Sequence, residues 1–156
     1  MNEVIVILHN IRSTHNVGSI FRTADAAGVT KMYLTGYTPK PIDRFGRPQK
    51  DIAKTALGGQ EYVRWESGDI NNVLKDLKKE GFSIISIEQD ERSIVLNDFK
   101  TLPKMALILG NEVRGVSKQL RDKSDYIVEI PMHGKKESLN VSVTAGIVLF
   151  SLSTNT

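Results

Sequence analysis

The chain has 156 residues, of which 40% are hydrophobic and 25% are charged, as in a single globular domain with a substantial core. With 21 basic and 18 acidic side chains its formal net charge is only +3, which by itself indicates neither a nucleic-acid nor a membrane partner. The sequence has no cysteine, and its three histidines (His9, His15 and His133) are too far apart for a ligand spacing, so neither disulfides nor a metal site are predicted.

The chain begins directly with a predicted strand. Residues 4–8 are a continuous apolar run, typical of a buried parallel strand. This short run has no basic segment before it, so it is neither a signal peptide nor a membrane span, and the expected location is the cytoplasm. Apolar residues from Val17 to Ala27 then recur at helical spacing, with Asn16 as the predicted N-cap and Gly28 as the left-handed residue that ends the helix.

Strands and helices alternate in the prediction for the rest of the chain. Strands are predicted over residues 32–34, 62–65, 82–87, 105–109 and 126–130. Helices are predicted over residues 52–57 and 70–79, after Ser117 as N-cap, and from residue 139 to about residue 153. Residues 94–99 fit either class, and the prolines within residues 37–49 predict a long basic loop, a kind of segment that often carries function. We therefore predict one α/β domain over residues 1–156, with a mostly parallel sheet and helices on both faces.

Three polar loops follow predicted strands, at residues 10–16, 110–115 and 131–140. The carboxyl ends of parallel strands meet at one edge of the sheet, where α/β proteins bind ligands. The third loop precedes a helix start, whose free N–H groups favour an anionic ligand. An ordinary connection between a strand and a helix would give the same pattern.

The loop after the strand at 105–109 is close to a phosphate-binding sequence. Residues 110–117 read G-N-E-V-R-G-V-S, but Val116 stands where that sequence needs a lysine, which argues against nucleotide hydrolysis. No G-x-G-x-x-G sequence follows a predicted strand, so a dinucleotide site is not predicted either. A purely structural role for Gly110 and Gly115 as turn residues remains an alternative.

Arg22 is the most informative charged residue of the first helix. Its helical neighbours Ser19 and Ala26 are small, so its side chain has room to lie in an open cleft and to bind an anion such as a phosphate. A surface ion pair with Asp25 would explain it equally well, and His133 fits a loop histidine as well as a catalytic base. Residue chemistry alone therefore predicts an α/β protein with a ligand crevice and names no reaction.

Three stretches together resemble a known family. Residues 16–28 read N-V-G-S-I-F-R-T-A-D-A-A-G, residues 107–117 read L-I-L-G-N-E-V-R-G-V-S, and residues 130–147 read I-P-M-H-G-K-K-E-S-L-N-V-S-V-T-A-G-I. In order and spacing they resemble the motifs of the SpoU (TrmH-like) family of the SPOUT superfamily, the S-adenosylmethionine-dependent RNA ribose 2′-O-methyltransferases. The resemblance spans nearly the whole chain.

The resemblance implies a fold and a cofactor site that residue patterns would not propose. Protein chains are almost never knotted, yet the resemblance implies a deep trefoil knot at about residues 105–150, and a homodimer. It also implies that backbone groups of Gly110, Ile130 and Leu139 hold the adenosine part of S-adenosylmethionine. Three further residues are expected beside the cofactor: Glu88, Met132 and Ser138.

The implied catalytic centre is built around Arg22, which would assist removal of the 2′-hydroxyl proton. The residues expected to order the site around it are Asn16, Glu112, Ser138 and Asn140. A guanidinium stays protonated in proteins, so it is a poor general base. We therefore expect Arg22 to orient the substrate phosphate and hydroxyl, with its charge aiding proton loss.

RNA, as tRNA or rRNA, is the expected partner, and no separate RNA-binding domain is predicted. RNA binding would then depend on clustered basic residues: Arg12, Arg44, Arg47, Lys50, Arg114, Lys135 and Lys136. A catalytically inactive RNA-binding module and a flavodoxin-like nucleotide binder are the competing classes. Intact Asn16, Arg22, Glu112 and Asn140 argue against the first, and the missing lysine at Val116 argues against the second.

Overall fold

The computed structural model describes residues 2–153, which form a seven-stranded sheet with helices on both faces. The strands are β1 (Glu3–His9), β2 (Lys31–Thr35), β3 (Arg64–Gly68), β4 (Ser83–Ile87), β5 (Ile94–Val95), β6 (Lys104–Leu109) and β7 (Tyr126–Glu129). The helices are α1 (Thr14–Ala26), α2 (Lys50–Ala56), α3 (Gly59–Tyr62), α4 (Ile70–Lys79), α5 (Lys118–Lys123) and α6 (Val141–Ser153), with a 3₁₀ turn at Leu96–Asp98. Over residues 2–153, no helix has both the length and the apolar character needed to cross a membrane.

Neighbouring strands pair in parallel in the order β3-β2-β1-β6-β4-β7-β5. The apolar run of β1 explains its central place, because side chains from both of its faces must be covered. Val4, Val6 and Leu8 pack into one core layer with α1, α2 and α6, whereas Ile5 and Ile7 pack into a second layer with α4 and α5. The predicted α/β architecture with a mostly parallel sheet is therefore confirmed.

The first helix is capped by a different residue than the sequence predicted. Ser13, not Asn16, is the N-cap of α1, since its hydroxyl accepts a hydrogen bond from the Asn16 N–H at 3.1 Å. Asn16 lies buried in the first turn, where its side chain makes tertiary contacts instead. The predicted helix end is confirmed: Gly28 has φ +76°, and the Val29 N–H donates to the Ala24 carbonyl at 2.9 Å.

Two other boundaries differ from the prediction, and one segment that the sequence left open is assigned. The strand predicted over residues 62–65 was wrong at its start, because Gly58 (φ +94°) allows a new helical turn that includes Tyr62, and β3 begins only at Arg64. Residues 94–99 form a short strand followed by a 3₁₀ turn. Helix α6 begins at Val141 rather than near residue 139, because the Asn140 side chain accepts from the Ser142 N–H at 2.8 Å and ends the preceding loop there.

Candidate active site

A cleft of about 540 Å³ lies at the carboxyl edge of the sheet. Its walls come from the segments that follow β4, β6 and β7 and from the start of α6. Two of the three polar loops singled out in the sequence line it, at Gly110–Gly115 and at residues 130–139. This volume lies within the range of about 300–1,000 Å³ that is usual for small-molecule and cofactor sites.

All six residues expected beside the cofactor line this one cleft. They are Glu88, Gly110, Ile130, Met132, Ser138 and Leu139. They come from three separate parts of the sequence, and the pairing of β4 with both β6 and β7 brings those parts together. The binding role of each residue stays a prediction.

The loop after β6 is tightly folded around Gly110 and Gly115. A side chain on Gly110 would place its Cβ 2.4 Å from the Gly115 carbonyl group, and Gly115 itself has φ +67°. The Asn111 side chain fixes the turn between them by accepting hydrogen bonds from the N–H groups of Val113 and Arg114, both at 2.9 Å. These glycines therefore have a clear turn function, and the same fold also exposes the loop backbone to the cleft.

Glu88 is a half-buried carboxylate on the wall of the cleft. Its oxygens lie 2.7 and 2.8 Å from the place that a Cβ on Gly115 would occupy, so the carboxylate fits against the bare glycine. Burial raises the pKa of the Glu88 carboxyl, although the Val116 N–H and the charge of Arg121 act in the opposite direction.

Glu112 joins two of the polar loops through its carboxylate. It accepts hydrogen bonds from the N–H groups of Arg12 at 2.9 Å and Ser13 at 2.8 Å, and from the Asn16 amide at 3.2 Å. Partial burial raises the pKa of the Glu112 carboxyl, but these donors outweigh it and hold the pKa below its usual value. Glu112 is therefore ionised at neutral pH and anchors the start of α1.

The same network reaches the start of α6. The Asn140 amide donates to Asn16 Oδ1 at 3.3 Å, while Asn140 Oδ1 accepts from the Ser142 N–H at 2.8 Å. The orientation of both amides is thus set from the two ends, by the Glu112 carboxylate and by the Ser142 N–H. The structure brings together Asn16, Glu112 and Asn140, three of the five residues expected to be catalytic, and Glu112 also lines the cleft.

The other two expected catalytic residues lie apart from this network. Ser138 lines the cleft. Arg22 is exposed on α1, outside the cleft lining, and within residues 2–153 its side chain makes neither a hydrogen bond nor an ion pair with Asp25 or another residue. Its backbone is packed instead against Gly59, where an added Cβ would lie 3.0 Å from the Arg22 Cα. One chain therefore does not place the Arg22 side chain in its own cleft.

The sequence profile of the SpoU rRNA Methylase family matches residues 3–150. The chain belongs to the SpoU rRNA methylase family. This confirms the resemblance seen in the three motifs, and the match includes every residue of the cleft and of the Glu112 network.

Named relatives of this SpoU chain are tRNA and rRNA methyltransferases. It is 36% identical over 155 residues to an uncharacterized tRNA/rRNA methyltransferase of Borreliella burgdorferi, covering 97% of this chain and 64% of that protein. It is 33% identical over 150 residues to the tRNA (guanosine(18)-2′-O)-methyltransferase of Aquifex aeolicus, covering 95% of this chain and 67% of that protein. The chain thus spans about two thirds of the length of these curated relatives.

Solved structures give the same assignment. The AdoMet-bound rRNA methyltransferase from Sinorhizobium meliloti is similar with a TM-score of 0.86 and 25% identity, over 96% of this chain and 55% of that one. The A. aeolicus TrmH/SpoU tRNA modifying enzyme is similar with a TM-score of 0.82 and 29% identity, over 97% of this chain and 74% of that one. The fold of residues 2–153 is therefore that of a SpoU methyltransferase.

Several cleft residues of this SpoU chain were missed by sequence reasoning. Asn111 shapes the loop, and its side-chain amide also donates to the Asn10 carbonyl and the Tyr37 hydroxyl, both at 3.0 Å. Its place in the G-N-E sequence of the second motif could have identified it. Gln89 follows the end of β4, and its amide donates to the Glu137 carbonyl at 2.8 Å across the cleft. The rule that ligands meet strand ends could have found it. His133 is exposed and lies outside the cleft lining.

The residues expected to contact RNA are all exposed. They are Arg12, Arg44, Arg47, Lys50, Arg114, Lys135 and Lys136. Arg114 also lines the cleft, whereas Arg44 and Arg47 contact the ring of Phe45 in the loop between β2 and α2. Their role in RNA binding stays a prediction.

Proposed function

We propose that this chain transfers the methyl group of S-adenosylmethionine to a ribose 2′-hydroxyl of a structured RNA, either tRNA or rRNA. The observation that carries the proposal is the joining of Asn16, Glu112 and Asn140 into one hydrogen-bonded network. These residues come from three family motifs, and their network lies beside a cleft of cofactor size. A purely structural network would not need to coincide with such a cleft.

The residues of the cleft fit the proposed cofactor. Ile130, Met132 and Leu139 line the cleft with apolar side chains, which suit an adenine ring better than charged side chains would, and their backbone N–H and C=O groups are possible hydrogen-bond partners. Four carboxylates but only one guanidinium are among the cleft residues 87–144, an excess of negative charge that suits a cationic ligand. When bound, S-adenosylmethionine supplies a methyl group on a positively charged sulfur.

The chain's own residues would then position the RNA. We assign Asn16, Glu112 and Asn140 to hold the mouth of the cleft in one shape, and Ser138 to order the reacting groups near it. Arg22, free of an acidic partner within residues 2–153, would donate hydrogen bonds to a substrate phosphate and hydroxyl. Its positive charge would favour loss of the hydroxyl proton. The proposed compartment is the cytoplasm, where tRNA and rRNA are found.

A homodimer is part of the proposal. Helix α6 is apolar on nearly all sides, and Val143, Ile147 and Phe150 lie on one exposed stripe of it, with 40–49% of their surface exposed. A helix of this kind is normally buried on every side. Gly146, next to Ile147, lies close to Thr23, next to Arg22, since a Cβ on Gly146 would be 3.8 Å from Thr23 Cγ2. A second copy covering the stripe would therefore also approach Arg22.

The trefoil knot at about residues 105–150 is likewise proposed. Two features support it. Strand β6 lies between β1 and β4, and the chain must return from β7, three places away from β1 in the sheet, to pack α6 against α1. A threaded C-terminal segment satisfies both features.

The test combines cofactor binding with methyl transfer. Calorimetry with S-adenosylmethionine should detect one site per chain, and mass mapping should locate a ribose methylation in tRNA or rRNA treated with the protein. Arg22→Ala should abolish transfer while leaving cofactor binding intact, whereas Arg64→Ala, at an exposed arginine of edge strand β3, should change neither. Cofactor binding without any RNA methylation would favour the inactive RNA-binding module, and normal turnover of Arg22→Ala would overturn the role of Arg22.

A further inference from the structure

The loop between β2 and α2 is an ordered hairpin rather than a free loop. Ile42 and Pro48 form an antiparallel bridge, and the Gln49 N–H donates to the Pro41 carbonyl at 2.8 Å. Further along, the Asp43 N–H donates to the Arg47 carbonyl at 2.9 Å. The tip of this hairpin, residues 44–46, therefore has a defined position.

Asp43 holds the tip in place. Its carboxylate accepts from the N–H groups of Phe45 at 2.8 Å and Arg47 at 3.0 Å, and from the Arg47 guanidinium at 3.1 Å. Gly46, with φ +77°, allows the reversal of the chain between them. A tip that is already ordered loses little conformational entropy when a ligand binds.

The hairpin presents an aromatic ring in contact with two cations. Phe45 has 66% of its surface exposed, and the guanidinium carbons of Arg44 and Arg47 lie 4.8 and 4.9 Å from its ring centroid. Most of the phenyl ring is left in contact with solvent and lies outside the hydrophobic core. Aromatic rings combined with arginines are the surface on which proteins stack unpaired bases and neutralise phosphates.

We infer that Phe45 stacks on an unpaired base of the RNA substrate. The inference rests on the proposed function, since it assumes that RNA is the substrate. The base takes the ring face that a guanidinium now covers. Arg44 makes no ion pair within residues 2–153, so it is the cation that moves from the ring to a neighbouring phosphate, whereas Arg47 stays with Asp43.

The charge of the hairpin distinguishes RNA from a protein partner. A protein surface that covered Phe45 would also bury the guanidinium groups of Arg44 and Arg47. The adjacent carboxylate of Asp43 balances the charge of one of them. Burying an unbalanced cation is costly. An RNA strand supplies both the stacking face and the phosphate charge. A paired duplex keeps its bases stacked on one another, so the ring contacts unpaired nucleotides in loops or bulges.

Binding of two RNAs by the full chain tests the inference. The probes are an RNA hairpin with a single-stranded loop and a fully paired duplex of equal length, measured by fluorescence anisotropy at several salt concentrations. Phe45→Leu should weaken hairpin binding roughly 5- to 150-fold, the range of an aromatic–base stack, without changing the salt slope. Duplex binding should hardly change. Arg44→Gln should instead lower the salt slope by about one.

Phe45→Trp gives a direct measure of stacking. It should keep the wild-type affinity for the hairpin, and RNA should quench its fluorescence beyond the response of the wild-type protein, whose one tryptophan is Trp65. Equal binding of the hairpin by wild type and Phe45→Leu would overturn the inference. So would an equal loss for hairpin and duplex, a Phe45→Trp signal that RNA does not quench, or a change in oligomeric state in Phe45→Leu. If the wild-type protein binds neither RNA, the proposed function itself fails, which is a different outcome.

Discussion

Glu112 and Asn16 are 96 positions apart in the sequence, yet Glu112 Oε2 accepts a hydrogen bond from the Asn16 amide at 3.2 Å. The same carboxylate accepts from the Arg12 and Ser13 N–H groups, so one side chain ties the loop after β6 to the start of α1. Hydrogen bonds to one carboxylate therefore join the cleft wall to the first family motif.

Glu112→Gln should weaken this link and change the acid sensitivity of the protein. The pKa of Glu112 is lower in the folded state than its ordinary value of 4.5, so its stabilisation is fully present above that pH and is lost as the pH falls through the folded pKa. We expect a loss of about 1 kcal/mol at pH 7, since the group is partly exposed, and a flatter stability curve as the pH falls below 4.5. Urea unfolding at each pH measures both. Glu137→Gln, at an exposed cleft residue, is the control, and equal curves for both variants would contradict the prediction.

Glu88 should show the opposite pH dependence. Burial raises its folded pKa above 4.5, so the stability it contributes is present below that pH and is lost as the pH rises through the folded pKa. At pH 7 the charged carboxylate is therefore unfavourable, and Glu88→Gln should raise the free energy of unfolding by less than about 1 kcal/mol. Thermal unfolding at pH 4 and pH 7 is the measurement. A variant that is less stable than wild type at pH 7 would refute this account of the site.

Gly110→Ala should disrupt the cleft. The added Cβ would meet Gly115 and Val116 backbone atoms at 2.4–2.6 Å, which the loop can relieve only by shifting its backbone. We expect a destabilisation of about 1–3 kcal/mol and a clear loss of S-adenosylmethionine affinity in calorimetry. Gly134→Ala is the matched control, because a Cβ at Gly134 has no atom within 4 Å. If both variants bind the cofactor equally, the loop after β6 does not form its site.

Lys135 and Lys136 should contribute charge rather than specificity to RNA binding. Both are exposed on the loop that leads to the cleft. Replacing both by alanine should weaken binding of every RNA tested, and the slope of log Kd against log salt should fall by about one for each lost phosphate contact. Lys78 and Lys79, at the end of α4, give the control pair. The same slope in the wild type and in the Lys135/Lys136 variant would remove this loop from the RNA surface.

Ile147→Glu should separate the proposed dimer. A carboxylate in the middle of the exposed stripe of α6 would be buried without a partner when two copies meet there. Sedimentation equilibrium should show a dimer for the wild type and a monomer for the variant. Gln119→Glu adds the same charge on exposed α5 and should leave the dimer intact. A dimeric Ile147→Glu protein would place the interface elsewhere.

Local sequence was sufficient to predict those elements whose structure depends only on the residues of one short segment. The buried strand at β1 follows from five consecutive apolar residues, and the end of α1 follows from the ease with which Gly28 adopts a positive φ. Five of the predicted cleft residues, Gly110, Ile130, Met132, Ser138 and Leu139, lie in the family motifs, which keep the spacing of the loops they occupy.

Tertiary structure decided those features of the site that depend on contacts between residues far apart in the chain. Ser13 and Asn16 are equally good capping residues, and only Glu112, brought near by the insertion of β6 beside β1, fixes which of them caps α1 and which joins the network. The position of the Arg22 side chain likewise could not be predicted from local sequence, because it depends on how α1 packs against α3 and α6. The sequence by itself predicted which residues would carry the chemistry. The packing of distant segments decided which of them meet within one chain, because a hydrogen bond between residues 96 positions apart leaves no periodic signal in either segment.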